Sequence, residues 1–596
     1  MLFMHGRDLV FSSGHCMQRR TFLKTAAVSG GAAAIPMAWW LSSRTVAAEA
    51  AIDTSPIVFN QLGYLPTAKK LVTLRSPSAT FTVRAVSSGA VALQGKSSAA
   101  RDDAASGDRV QISDISTVQQ PGMYVLETEA DKSAAFEIGN NVYRNALCLT
   151  MRGYYGQRCG CNVDLGNGYA HPACHLTAEF HKTSGKNGSY KNHGGWHDAG
   201  DYGRYIVNSG ISTATLLWTW ELLNAAVRNL DLKIPESGGK LPDFLAEIRW
   251  NLDWMLSLQD GDGGVWHKQT SENFCNFILP QDDHLVSYVI GTGSDPYKST
   301  CATAGLAAVA AIAARCYGPF DDAYAKICLD AAKRAYAWAS KHPDVSFRNP
   351  DRIRTGEYGD TDCRDEMLWA AAELWRSSGE EQYRQAFEAG IAYLRTDNGL
   401  RVKTPAWNDL SALSLWTYAM ADRKGASSEL SAQIRDSSVR EAEKLVQNSR
   451  QNGYGNTLAL SDYIWGSNGV AGNQSLQLIV TDRLQKNDEF RQAAAENLHY
   501  LIGRNCWALS WVTQLGTKAF QHPHHRPSAA DNIAAPWPGL LSGGPNAHPG
   551  DWVGRMMPKR PPMQMYKDDQ GAYSLNEIAI NWNAPLVFLL AALNAA

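Results

Sequence analysis

Two aspartates, Asp198 and Asp201, lie three residues apart in the segment GGWHDAGDYGRY at positions 194–205. Four of these twelve residues are glycine and four are aromatic or histidine, so the two acids stand in a stretch with little other charge. Such carboxylates could cap a helix, hold a metal ion or transfer a proton. The glycines would let a ligand and the backbone approach each other closely.

A third carboxylate of interest, Glu577, lies between an aromatic loop and a strongly apolar segment near the carboxyl terminus. The run SLNE could begin a helix, with Ser574 as its N-cap and Glu577 in the capping-box position. Asp201 could likewise cap the helix that follows it. An apolar surrounding would instead raise the pKa of Glu577 and make it a proton donor.

Sulfur and imidazole ligands come together in three short motifs, RCGCN, HPACH and GGWHD, which supply Cys159, Cys174, His175 and His197. Two thiolates and two imidazoles form a closed tetrahedral zinc site with no position left for water, so zinc would be structural here. Cys161 could replace Cys159 or be spare. A disulfide or free thiols are the alternatives.

The segments around these motifs change character near residue 140. Residues 51–140 contain short alternating runs separated by Gly, Pro, Ser and Asp, which predicts a small antiparallel immunoglobulin-like sandwich. Residues 141–596 keep apolar positions at helical spacing in about a dozen segments. Long loops rich in Trp, Asp, His and Gly alternate there with short plain ones. We therefore expect a mainly helical closed ring with one functional face.

Composition narrows the class of ligand. The 596 residues include 19 Trp and 23 Tyr, and the formal net charge is −2. Nucleic acid would require a basic face, and an anionic membrane surface is not favoured either. Many flat aromatic rings and a net charge close to zero indicate that the ligand is a neutral polymer or a sugar.

Residues 1–50 resemble an export leader. QRRTFLK at 18–24 is followed by a weakly apolar stretch and an Ala-x-Ala-like site near Ala48 or Ala50, which is typical of a twin-arginine signal peptide. We expect a periplasmic or secreted protein without a stable membrane anchor, and no later segment that could span a bilayer. Folding before export argues against a dense disulfide framework, so thiols such as Cys301 and Cys363 are expected to be buried and free.

Three motifs in order, DAGDYG, SWVTQLGTKAFQHPHHRP and YKDDQGAYSLNEIAINWNAP, resemble glycoside hydrolase family 9, the inverting family that includes many cellulases. The resemblance runs from NQLGYLP at 60–66 to the last helical segment. It implies a mainly α protein with an (α/α)6 barrel at 141–596, preceded by an immunoglobulin-like domain at 51–140.

The resemblance also implies roles. Asp201 would be the general base, Asp198 would help hold the attacking water, and Glu577 would be the general acid. Inversion needs a carboxyl separation of roughly 6.5–9.5 Å to admit a water molecule. His524 and Arg526 would contact sugar hydroxyls.

Further site residues follow from the same resemblance. Asp568 would orient the acid loop. The candidates for stacking on sugar rings, each of which could instead be a core residue, are Trp266, Tyr463, Trp465 and Tyr573.

The motif GDTDCRDEM at 359–367 resembles the family's calcium loop. An acidic, solvated helix start is the alternative interpretation. The predicted calcium ligands are Thr361, Asp362, Asp365, Glu366 and Asp409. Some family members with the N-terminal module also carry a zinc, which supports the cysteine–histidine site.

The prediction for function is a monomeric, exported, inverting endo-β-1,4-glucanase that acts on cellulose or a related β-glucan. Two alternatives remain open at this point. One is an exo-acting enzyme on short oligosaccharides, including an exo-glucosaminidase. The other is a non-catalytic carbohydrate-binding protein.

Overall fold

The computed structural model describes residues 55–191 and 194–595, so the predicted leader at 1–50 lies outside the described residues. The first described part is a sandwich of two antiparallel four-stranded sheets, with strand orders β1-β2-β6-β5 and β4-β3-β7-β8. Its strands are β1 Ile57–Val58, β2 Leu71–Leu74, β3 Thr80–Ala85, β4 Val91–Lys96, β5 Arg101–Asp102, β6 Arg109–Asp114, β7 Gly122–Glu127 and β8 Phe136–Ile138.

The core of this sandwich follows from the alternation of its strands. On β3, Phe81 and Val83 are buried, whereas Thr80 is exposed and Thr82 is half-buried. The inward residues of both sheets form one apolar cluster, as period-two patterning requires. This confirms the predicted immunoglobulin-like unit.

Sixteen α-helices are present in the described residues, and they begin six residues after β8 ends. They are α1 Arg144–Gly156, α2 Ile206–Leu222, α3 Asn224–Val227, α4 Asp243–Ser257, α5 Thr300–Tyr317, α6 Asp322–Lys341, α7 Arg364–Ser378, α8 Glu381–Gly390, α9 Ser411–Ala419, α10 Ser428–Gln451, α11 Ser467–Leu484, α12 Asp488–Leu501, α13 Arg526–Ala530, α14 Trp552–Arg555, α15 Tyr573–Asn576 and α16 Ile580–Asn594. Short 3₁₀ helices lie at Lys182–Ser184, Pro280–Asp282, Ile391–Leu394, Leu460–Asp462 and Pro562–Gln564.

The long helices form two concentric rings. Helix α16 packs on α2, α2 on α5, α5 on α7 and α7 on α9, while α11 packs back on α16, and α10 contacts both α9 and α11. The outer helices α1, α4, α6, α8 and α12 each lie against a member of this inner ring. Inner helices are buried on nearly all sides, which explains why α5 and α16 are apolar around their whole circumference. The predicted (α/α)6 barrel is confirmed.

Helix α5 corrects one expectation from the sequence. With 18 residues and a mean hydropathy of 1.4, it is long and apolar enough to cross a membrane by composition alone. Because 89% of it is buried inside the barrel, it is a core helix of the inner ring. Its small alanine side chains allow the neighbouring helices to approach closely.

A mixed five-stranded sheet, in the order β12-β11-β15-β14-β13, covers one end of the barrel. Its strands are β11 Thr177–Phe180, β12 Ser189–Lys191, β13 Arg204–Tyr205, β14 Lys268–Thr270 and β15 Tyr288–Ile290. The remaining strands form two small hairpins: β9 Val163–Asp164 with β10 Ala170–His171, and β16 Arg395–Thr396 with β17 Gly399–Leu400. The five-stranded sheet matters for function because β13 directly follows the DAGD loop.

One pair of cysteines departs from the expectation of buried free thiols. Cys301, at the start of α5, is disulfide-bonded to Cys363, the residue before α7. Cys316 and Cys328 are buried free thiols, as expected. The disulfide joins two neighbouring helices of the inner ring at their amino ends.

Candidate active site

The Asp198 carboxylate is buried and fully hydrogen-bonded. Its Oδ1 accepts from Asn208 Nδ2 at 2.7 Å, and its Oδ2 accepts from the Tyr358 hydroxyl at 2.7 Å. Burial raises the pKa of Asp198 to about 7, these two hydrogen bonds lower it, and the nearby Asp201 carboxylate raises it further. Asp198 is therefore a fixed group within the site.

Asp201 is less constrained than Asp198. Its Oδ2 accepts one hydrogen bond, from the Gly203 backbone N–H at 3.0 Å. A cavity of about 10 Å³ adjoins Asp201, close to the smallest volume that can hold one water molecule. The geometry therefore leaves the second carboxylate oxygen of Asp201 available to solvent.

The glycine between these acids is required by packing. A Cβ at Gly200 would lie 1.9 Å from the His524 carbonyl oxygen, so only glycine fits at this contact. The Gly200 carbonyl in turn accepts hydrogen bonds from the backbone N–H and the guanidinium of Arg526. The DAGD loop is thereby pressed against the segment that carries His524.

Glu577 lies in an extended linker between α15 and α16. The predicted capping box does not form, because Ala572 is the N-cap of α15 and α16 begins only at Ile580. Asp201 caps no helix either, since α2 has Tyr205 at its N-cap position. Helix capping is therefore excluded as the role of Asp201 and of Glu577.

The acid linker and the DAGD loop are joined directly. The Ile580 N–H, three residues after Glu577, donates to the Asp198 carbonyl at 2.9 Å. Burial raises the pKa of Glu577 well above its usual range, and the carboxylates of Asp201 and Asp198 raise it further. Arg526 and the Gly200 N–H act in the opposite direction without overcoming this. The raised pKa of Glu577 is what a proton donor requires.

His524 and Arg526 lie between these two segments. Phe277 and Tyr573 contact the His524 ring edge-on, at centroid distances of 5.1 and 5.8 Å. The Arg526 guanidinium donates to the carbonyls of Gly200 and Cys275, so it braces two walls of the site. Their predicted contacts with sugar hydroxyls stay predictions.

The Asp568 carboxylate connects the His524 segment to the acid linker. Its carboxylate accepts from the backbone N–H groups of Gln521 and His522 and from the Asn576 side-chain amide. Because these donors occupy both oxygens, Asp568 holds the His524 segment against the acid linker. The expectation that it orients the acid loop agrees with this geometry, whereas a direct sugar contact does not.

The four aromatic candidates divide into two pairs. Trp465 and Tyr573 are 49% and 37% exposed, with ring centroids 5.5 Å apart, and they form an aromatic surface next to His524. The stacking prediction is wrong for Trp266 and Tyr463, which are 2% and 1% exposed and belong to the core. The Trp266 indole N–H donates to the Ser184 carbonyl, and the Asn456 amide donates to the Tyr463 hydroxyl.

Other residues in the site carried no recognisable sequence signal. Tyr358 and Asn208 bond Asp198 from elements 160 and 10 residues away in sequence. Trp407 contacts Tyr358 edge-on at 5.2 Å and is half-buried. Gln157 donates to the carbonyls of His197 and Ala199. The sequence around such a tyrosine or glutamine does not distinguish it from others, because only the fold places it next to the DAGD loop.

The four predicted zinc ligands converge. The ligand atoms of Cys159, Cys174, His175 and His197 all lie within 4.8 Å of one another, and Cys174 Sγ is 3.8 Å from His197 Nε2. Two sulfur and two imidazole donors at this spacing fit a tetrahedral metal ion. Cys161 is outside the cluster, and burial raises the pKa of its thiol to about 12, so it is the spare thiol.

Only some of the predicted calcium ligands are buried together in the structure. Asp365 and Glu366 are buried in the first turn of α7, and neither Glu366 oxygen receives a hydrogen bond from the protein. Buried Asp360, which the sequence did not single out, also has an unpaired oxygen, and Asp409 is near enough to raise the pKa of Asp365. Grouped buried oxygens without donors fit a hard cation.

Two of the predicted calcium ligands point elsewhere. The Asp362 carboxylate is exposed and forms a bidentate ion pair with Arg364, and Thr361 is exposed as well. Among the buried acids, Asp360 Oδ2 and both Glu366 oxygens lack a hydrogen-bond partner. Asp365 Oδ2 accepts from the Leu410 N–H, and Asp409 pairs with Ser411 and Lys403.

The fold and the three carboxyl groups define a class of protein, the helical-barrel hydrolases that use paired acids. Comparison with known proteins gives the family. A model described as glycosyl hydrolase family 9 matches residues 143–590, and one described as a cellulase N-terminal immunoglobulin-like domain matches residues 53–133. The chain belongs to glycosyl hydrolase family 9 and is a glycoside hydrolase rather than a non-catalytic binding protein.

Individual relatives cover nearly the whole chain. "Endoglucanase D" of Acetivibrio thermocellus is 35% identical over 545 residues, which are 90% of this chain and 83% of the relative. "Cellodextrinase" of Butyrivibrio fibrisolvens is 32% identical over 90% of this chain and 98% of its own. The solved zinc-binding triple mutant of the family 9 endoglucanase J30 has a TM-score of 0.82 and 34% identity, covering 89% of this chain and 99% of that one.

Proposed function

We propose that this protein is an inverting endo-β-1,4-glucanase in which Glu577 is the general acid and Asp201 the general base. The observation that carries the proposal is the hydrogen bond from Ile580 N–H to the Asp198 carbonyl, which joins the acid linker to the DAGD loop. A carboxyl with a raised pKa and a pair of aspartates are thereby held on adjoining segments, and these are the groups that inverting hydrolysis uses.

The division of roles between the two aspartates follows from their contacts. Both Asp198 oxygens are occupied by Asn208 and Tyr358, whereas Asp201 accepts a single backbone hydrogen bond. A general base must present a free lone pair to the water whose proton it removes. Asp201 is therefore the base, and Asp198 fixes the loop and helps position the water.

The substrate class rests on the aromatic surface and on the relatives. Trp465 and Tyr573 present exposed ring faces beside the acid, which suits the apolar faces of glucosyl units. A relative at 35% identity is named an endoglucanase, and one at 32% a cellodextrinase. The name cellodextrinase makes exo-type action on short oligosaccharides a second candidate function. A closed site would suit such action, and the loop at 271–287 forms one wall of the site.

The product profile distinguishes the two modes of action. We expect the protein to lower the viscosity of carboxymethylcellulose quickly and to release a range of oligomers from long cello-oligosaccharides. Release of a single small sugar from chain ends, with viscosity unchanged, would contradict endo action. A parallel ladder of β-1,4-linked glucosamine oligomers should remain intact, and its cleavage would move the substrate to amino sugars.

The metal and export predictions complete the proposal. We propose that zinc binds the cysteine–histidine cluster as a structural ion, because two thiols and two imidazoles suit it. We also propose that calcium binds beside the buried acids Asp360 and Glu366, because carboxylate oxygens without donors suit a hard cation. Each ion would stabilise the loops that carry the site. We also propose that the protein is exported by the twin-arginine route, on the basis of the QRRTFLK segment, and that it acts as a monomer.

A further inference from the structure

Asp283 lies between the zinc cluster and one wall of the active site. Its Oδ2 is 3.3 Å from His175 Nε2, and the two side chains are 4% and 6% exposed. Asp283 belongs to the loop of residues 271–287, which joins β14 to β15 and is called here the 271–287 loop. A buried carboxylate against one ring nitrogen of a metal-binding histidine requires an explanation.

The His175 ring has two polar neighbours. Nε2 faces Asp283, and Cys159 is the ring's other hydrogen-bonding neighbour. A carboxylate that accepts from Nε2–H leaves Nδ1 as the atom that can bind a metal ion, and it also fixes the orientation of the ring. The backbone at His175 is also unusual, because this residue adopts a positive φ of 48° two residues before β11 begins.

The same loop contacts the substrate-binding side of the site. The Cys275 carbonyl accepts two hydrogen bonds from the Arg526 guanidinium, at 3.1 and 3.0 Å. Phe277 contacts His524 at a centroid distance of 5.1 Å, and the guanidinium of Arg526 lies 5.1 Å from the Phe277 ring centroid. The small cavity beside Asp201 is lined by Phe274, Cys275 and Asp283. The position of this loop therefore shapes the space next to the proposed base.

We infer that Asp283 is a positioning residue that orients His175 for the metal and ties the 271–287 loop to the occupied metal site. The inference rests on the zinc proposed above. It assigns the metal a consequence beyond local stability, since removal of the ion would release one wall of the active site.

The test uses the full-length mature protein and Zn²⁺ in competition with a chromogenic chelator. Asp283→Ala should weaken zinc binding about 10–100-fold, the usual cost of losing such an outer partner. Asp283→Asn, which keeps the shape of the side chain, covers the case in which the alanine variant does not fold, and it should weaken binding in the same direction. The neighbouring, exposed Asp282→Ala is the matched control and should bind zinc like the wild type.

A second readout follows the loop itself. Hydrogen–deuterium exchange of the 271–287 peptide, measured by mass spectrometry, should become faster in the wild type when zinc is removed. In Asp283→Ala the exchange should be fast even at saturating zinc. Unchanged zinc affinity in both Asp283 variants would overturn the inference alone, and weaker affinity with unchanged exchange of this peptide would overturn the link to the loop. A wild-type protein that neither contains nor binds zinc would overturn the metal proposal and the inference together.

Discussion

Glu577→Gln should lower kcat for β-glucan hydrolysis by about 10²–10⁴-fold, because a general acid contributes about that factor. Glutamine keeps the shape of the side chain but has no proton to give to the departing sugar oxygen. Hydrolysis of 2,4-dinitrophenyl β-cellobioside should fall far less, since its leaving group departs without protonation. Steady-state rates on both substrates, measured side by side, check this expectation.

The pH profile provides an independent check on the same residue. Burial and the carboxylates of Asp201 and Asp198 raise the pKa of Glu577, so the acid stays protonated to higher pH than an exposed glutamate would. Wild-type activity should fall as the pH rises through that raised pKa, and the Glu577→Gln profile should lack this limb. Glu443→Gln, an exposed glutamate on α10, is the matched control. Equal losses on both substrates would show that Glu577 is not the proton donor.

Asp201→Asn should also lower turnover by about 10²–10⁴-fold, but on both substrates alike. The physical reason is that water must be activated whatever leaving group departs. Azide, which needs no deprotonation, should restore part of the rate and yield a glycosyl azide of inverted configuration. Rates with and without azide, together with product analysis, measure this.

Two further variants distinguish the role of Asp201 from that of Asp198. Asp330→Asn, on the exposed side of α6, should behave like the wild type. Asp198→Asn should lower the rate without azide rescue, because Asp198 is fixed by Asn208 and Tyr358 and positions the water without removing its proton. Azide rescue in Asp198→Asn and none in Asp201→Asn would reverse the two roles.

Sequence patterns predicted the large elements because their signals are local. The alternation along strands such as Thr80–Ala85 and the all-round apolar character of α5 and α16 reflect burial that the same segment experiences in the fold. The three site motifs carried the acids and the zinc ligands. Their convergence in the structure follows from the barrel, which brings residues 159, 201 and 577 to one end.

The parts that could not be predicted depend on long-range contacts. The five-stranded sheet consists of strands of two to four residues, too short to show a period. Tyr358 reaches Asp198 across 160 residues. The Asp362 carboxylate pairs with Arg364 at the surface, whereas Asp360 is buried. Trp266 and Tyr463 failed as stacking residues because an aromatic ring beside polar residues has the same local pattern in a core as at a binding face.

The claim on which the account depends is that Asp201 activates water across the glycosidic bond from Glu577 and does not attack the sugar itself. Proton NMR during the first minutes of cellopentaose hydrolysis tests this directly. The enzyme concentration must be high enough that hydrolysis is faster than mutarotation of the products. The new reducing ends should appear as the α-anomer. Initial formation of the β-anomer would contradict the account, because retention places the two carboxyls about 5 Å apart, with one of them as the nucleophile.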